Sequence, residues 1–242
     1  MALKKNNIAM GLILLITLSA GIIIGSYIPK IETVLEKREV AEKEAKIMEQ
    51  LKKDRVLNEK DFSIGMPAGW AGINPMPGTS ATIAYINEQI TDPALNKINF
   101  RSYYAITYDT LNKRTLLGYN VYLKNTLAKL LPGIKITKET SEKINGKDAR
   151  FIEAAVMQRG TNFNVLVATI LGNKDDVWTL SFNIGAVNWE AYKDMLYSIA
   201  RTFTLKTAEE IAAAEAAKAV PTTAPGSPTA PPPTTTAPNA QK

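Results

Sequence analysis

Histidine and cysteine are both absent from the 242 residues. Without them the chain can build no Ser-His-Asp triad, no cysteine nucleophile, no zinc-thiolate site and no imidazole metal ligand. Catalysis would have to run on carboxylates, lysine, tyrosine or a hydroxyl. No Walker loop, dinucleotide fingerprint, nucleophile elbow or zincin motif is present. Gly65, Gly69 and Gly72 lack the strand-to-helix setting of a phosphate cradle. Asn173 with Asp175-Asp176 lacks the alternating acids and distal glutamate of a calcium loop, and reads as a turn. The sequence therefore implies no catalytic residue, no cofactor and no metal. What remains is a contact surface: Trp70, in a Gly/Pro-rich stretch, and Tyr103 beside Arg101, which alternate away from Ile106. Trp178 and Trp189 are in phase with core positions.

These residues need elements to position them, and from Asp61 onward the pattern is strand-like. Phe62 to Met66 alternates and stops at Pro67, and a loop follows as far as Gly78. Strands are expected over 82–86 and 98–107. Leu116, Tyr119, Leu123, Leu127 and Leu130 trace one face of a helix over 115–131, closed by Pro132-Gly133. Asn145-Gly146 is the strongest hairpin signal, joining a strand from Ile134 to one over 148–158. A second hairpin joins 163–171 to 177–184, and Trp189, Tyr192, Leu196, Ile199 and Phe203 mark a closing helix. The fold class this predicts is α+β, an antiparallel sheet flanked by helices.

FSIGMPAGW (Phe62–Trp70), KINGKDARFIE (Lys143–Glu153), VWTLSFN (Val177–Asn183) and the ending Ile199–Thr204 add a further pointer. In these phrases and in the order of its elements, the region 61–205 resembles the PsbP-like family of α/β/α sandwich domains. The resemblance implies a binding or assembly role without catalysis. The metal-ligating histidines of that family's photosynthetic members have no counterpart here.

The rest of the chain surrounds this domain. A basic tail, residues 1–7, precedes residues 8–28, which read IAMGLILLITLSAGIIIGSYI without one charge. As a helix they would extend about 30 Å, enough to cross a bilayer. With Lys4 and Lys5 before it, the span reads as an uncleaved single-pass anchor. It would leave the N-terminus in the cytoplasm and the domain outside the cell membrane. Residues 29–60 lack glycine and, after Pro29, proline; eight acidic and eight basic residues over 31–60 predict a solvated helical stalk. Its broken heptad pattern supports only weak self-association. Residues 206–220 read as an alanine-rich helical extension, and 221–242, with seven of the thirteen prolines, as a disordered tail.

The net charge of +6 divides between the anchor flank and the 61–205 region, with no basic stripe, and argues against nucleic acid. The partners implied are the membrane, through 8–28, and a protein of the cell envelope. The alternative is a structural platform subunit of a pilus or secretion-type envelope complex. A duplicated βαββ unit would mark that class, and the single Asn-Gly hairpin shows none.

Overall fold

A computed structural model describes residues 54–219. The anchor over 8–28, most of the stalk and the proline-rich tail fall outside the described residues. Among the described residues, no helix is long and apolar enough to cross a membrane.

The chain opens with strands β1 (Arg55–Asn58), β2 (Phe62–Met66), β3 (Trp70–Ile73) and β4 (Ala81–Tyr85). A short helix α1 (Pro93–Lys97), strand β5 (Tyr103–Thr110) and helix α2 (Leu116–Leu130) follow. Strands β6 (Lys135–Ile144), β7 (Lys147–Gln158), β8 (Thr161–Leu171) and β9 (Asp176–Gly185) run as a meander into α3 (Trp189–Arg201) and β10 (Thr204–Leu205). Seven strands form one antiparallel sheet in the order β3-β4-β5-β9-β8-β7-β6; β1, β2 and β10 form a separate three-stranded sheet. The result is α+β with antiparallel sheets and few helices.

Alternation on β9 explains the layering. Trp178, Leu180, Phe182 and Ile184 point to one face and pack with α3 and β2, through Leu196, Ile199, Phe62 and Ile64. Val177 points to the other face, where α2 delivers Tyr119, Leu123 and Leu127. A strand buried on both faces puts every side chain into one of two cores. The α2-side core includes Ala105, Ile152, Val165 and Val167.

Local chemistry sets the element ends. Asp92 caps α1, accepting from the N–H groups of Ala94 (2.8 Å) and Leu95 (2.9 Å), with Pro93 in the first turn. Thr115 caps α2 by accepting from Gly118 N–H at 3.1 Å. At the β6–β7 turn, Asn145 (φ 49°) and Gly146 (φ 81°) adopt the left-handed conformation a two-residue hairpin needs. The Asn145 amide also ties this turn to the chain between α3 and β10, donating to Phe203 O (2.8 Å) and Thr204 Oγ1 (2.9 Å). Strand β6 is an exposed edge carrying Lys135, Lys138 and Lys143, charges that oppose pairing with another chain.

The helical extension α4 (Ala208–Ala219) is a separate unit. Thr207 and Glu210 form a capping box: Glu210 N–H donates to Thr207 Oγ1 (3.1 Å) and Thr207 N–H to Glu210 Oε2 (2.7 Å).

Three expectations about the domain need correction. The stalk was expected to stay helical to residue 60, but Arg55–Asn58 is strand β1, paired antiparallel with β2. The loop expected between Met66 and Gly78 contains β3, an edge strand. The long strand expected over 98–107 begins only at Tyr103, because Asn99 turns the chain with φ 49°.

Two buried tyrosines, one in each core, couple the domain to pH. Burial raises the pKa of Tyr104, whose hydroxyl donates to Gly65 O at 2.8 Å. Burial, and then the charge of Asp109, raise that of Tyr119. The folded domain thus holds both protons above roughly pH 10, where an unfolded tyrosine gives its proton up. Stability from this source is complete below roughly pH 10 and is lost as pH rises further. Thermal unfolding followed against pH is expected to show a melting temperature that drops above that point. Tyr104→Phe with Tyr119→Phe is expected to make the drop shallower.

Candidate ligand-binding groove

On one edge of β2 the strand β10 pairs only with Phe62 and Ser63, which leaves the stretch from Ile64 to Met66 without a strand beside it. Beyond that pairing, side chains complete the backbone. Gly65 N–H donates to Thr202 Oγ1 (2.7 Å), and the Thr202 hydroxyl donates to Ile199 O (2.6 Å). This stitches β2 to the last turn of α3 and leaves a groove of about 420 Å³ beside the seam. Its apolar lining is Met66, Pro67, Met195 and Ile199; Asp54, Arg55, Ser198 and Thr202 are its polar lining.

The helix period places the α3 wall. Met195, Ser198, Ile199 and Thr202 recur at steps of three and four, while Leu196 and Ala200 turn into the core. Ile199 and Met66 are buried, Met195 is half-buried and Ser198 is exposed. A wall with two methionines adapts its shape to what it meets, because the thioether is unbranched and polarizable.

The two charges differ in how they are engaged. Asp54 accepts from Ala68 N–H at 2.9 Å. Arg55 donates from Nη2 to the Trp70 carbonyl, and its Nε is buried without a hydrogen-bond partner. An unmet buried donor costs about 1–3 kcal/mol, more than a typical surface contact returns.

The expected contact residues lie elsewhere. Trp70 is 1% exposed: its ring stacks on Tyr85 at 5.3 Å and 9°, and lies 5.6 Å from Tyr104 in the α3-side core. Tyr103 is buried in the opposite core, 6.1 Å from Phe100. Arg101 is half-buried and donates from Nη1 to the Glu88 carbonyl at 2.6 Å. The sheet thus separates Trp70 from Tyr103. The Gly/Pro-rich stretch around Trp70 signals a tight entry into β3: Gly69 has φ 85°, and a Cβ there would meet the Tyr85 ring at 2.5 Å. Sequence reasoning missed Arg55, Met66 and Met195. Arg55-Val-Leu-Asn58 places two apolar residues side by side, so no period-two signal marked β1.

Two further polar clusters are buried. Glu88 accepts from Ser102 N–H, from Ser102 Oγ at 2.7 Å and from Asn188 Nδ2 at 3.1 Å. Under α2, Tyr119 donates to Asp109 Oδ2 at 3.1 Å and Asn120 Nδ2 to Thr169 Oγ1 at 2.7 Å. Both clusters brace elements against each other, and their carboxylates, Glu88 and Asp109, are buried. Among the described residues, no group of three or more Asp or Glu is placed to hold a metal ion.

No family model and no curated protein sequence matches the chain. Solved structures do. The solution structure of cyanobacterial PsbP (CyanoP) from Synechocystis sp. PCC 6803 matches with a TM-score of 0.50 at 13% identity, over 64% of this chain and 94% of that one. LpqN of Mycobacterium tuberculosis, described as involved in cell envelope biogenesis, matches at 0.47 and 16% identity, over 64% and 91%. The Saccharomyces cerevisiae Ran-binding protein Mog1p matches at 0.46 and 13%, over 63% and 94%. At these identities the likeness to cyanobacterial PsbP is one of fold, and it agrees with the resemblance read from the sequence.

Proposed function

We propose that this chain is a membrane-anchored binding and assembly module that works without catalysis. Residues 8–28 hold it in the cell membrane with the N-terminus in the cytoplasm. The 54–206 domain stands outside the cytoplasm and receives a segment of an envelope protein in the groove between β2 and α3. The groove itself carries this reading: apolar side chains at a surface cleft, rimmed by polar ones, suit a protein segment. The uncharged 21-residue span supports the anchor.

Site-specific photocrosslinking in native membranes tests it. A photoreactive residue at Ser198 is expected to capture one defined protein, and the adduct is expected to disappear when Met195→Glu puts a charge in the wall. The same probe at Met157, 64% exposed on β7, is expected to give no such adduct. Identical adducts from both positions would count against the groove. Protease added to intact spheroplasts is expected to remove the domain; digestion only from the cytoplasmic face would overturn the topology.

A further inference from the structure

We infer that the ligand of this groove presents a carboxylate to Arg55 next to an apolar group that lies against Met66 and Met195. The inference rests on the groove reading above and specifies its chemistry. Both charges in the lining are on β1 or next to it, but Asp54 is exposed to solvent, whereas Arg55 holds a buried donor with no partner. Asp54 is engaged by the Ala68 N–H at 2.9 Å. Arg55 offers its fork to one backbone carbonyl, that of Trp70, and its Nε–H reaches neither protein nor solvent.

A guanidinium edge is matched by a carboxylate, which takes two parallel N–H···O bonds from Nε and one Nη. The same domain shows that pairing fully made: Arg201 donates from Nε and Nη2 to the two oxygens of Glu142, at 2.9 and 3.0 Å. Arg55 has no such partner among the described residues. Because its Nε is shut in, an incoming carboxylate must draw the guanidinium outward, off the Trp70 carbonyl. The exchange replaces one bond to a neutral carbonyl by two bonds to an ionised carboxylate, and that gain drives it. Met66, Pro67, Met195 and Ile199 then cover the apolar group beside the carboxylate. A peptide ending in an apolar residue carries both features, and this source is the one we assign.

Methionine-methyl NMR of the full chain in nanodiscs of neutral lipid tests this. Met66 and Met195 lie in the groove, whereas Met76 belongs to the other core and Met157 faces solvent. The probes are acetyl-Leu-Ile-Leu as the free acid and as its C-terminal amide. The acid is expected to shift the Met66 and Met195 methyls and leave those of Met76 and Met157 in place. Its Kd is expected to be roughly tenfold below that of the amide. Arg55→Gln is expected to erase the difference between acid and amide, and Arg55→Lys, which keeps the charge but loses the fork, to reduce it. An unshifted Met76 methyl reports that each variant is folded.

Equal affinity for acid and amide would overturn the carboxylate assignment and leave the groove standing. Preference for the acid that survives in both Arg55 variants would also overturn it. If neither probe moves Met66 or Met195, the groove reading fails first.

Discussion

Trp70→Ala is expected to lower the unfolding free energy of the domain by about 3–5 kcal/mol. The indole is 1% exposed, and its removal takes a large side chain from a core it shares with Tyr85, Tyr104 and Ile83. Part of the loss is the apolar area and the cavity left behind. A further part, about 0.5–1.5 kcal/mol, is its stacking on Tyr85 at 5.3 Å. Neighbours cannot close the gap easily, because Tyr85 already touches Tyr192 at 5.9 Å and Gly69 packs beneath its ring. For a domain whose whole stability is about 5–15 kcal/mol, this is a severe loss. Denaturant unfolding measures it. A change below about 0.5 kcal/mol, as for an ordinary surface site, would contradict the burial.

Glu88→Ala is the second large effect, expected at about 2–4 kcal/mol. The carboxylate is 5% exposed, and its donors are all neutral: the Ser102 N–H and hydroxyl, and the Asn188 amide. Truncation strands two buried donors of Ser102, each worth about 1–3 kcal/mol when unmet. Asn188 is only half-buried and can turn to solvent. The same residue links the chain after β4, the entry to β5 and the turn before α3, so hydrogen exchange at all three is expected to quicken together. Glu88→Gln retains one acceptor oxygen and is expected to lose less than Glu88→Ala. If the two variants are equally stable, the hydrogen bonds are not the source.

Long periodic elements were legible in the sequence. The leucines of α2, the Asn145-Gly146 hairpin and the two strands that flank Gly172 stand close to where their patterns place them. Each carries its own signal, either a helical repeat or a turn that only certain residues can make. The short strands were not legible. β1 and β3 have four residues each and β10 has two, too few to show a period. They are strands because a neighbour supplies the ladder: Asn58 opposite Ser63, Trp70 opposite Tyr85, Thr204 opposite Ser63.

The groove depended on the same kind of information. Arg55 and Met66 come to face each other through the register of β1 on β2, and Met195 joins them from a helix more than a hundred residues later. Trp70 and Tyr103 carry the types of residue that make contact surfaces, yet each is covered by a layer that local sequence does not announce. Burial is a property of what packs on a face, and alternation shows only that two faces exist.

The amino-acid sequence alone excludes histidine and cysteine chemistry for this chain. It also determined that an antiparallel α+β domain follows an uncharged span of bilayer length, because composition and periodicity are local properties. Which aromatics are core, where β2 meets α3, and that Arg55 is left with an unanswered donor were decided by tertiary structure. Those depend on strand register and layer order, in which residues distant along the chain satisfy, or fail to satisfy, one another's surfaces and hydrogen bonds.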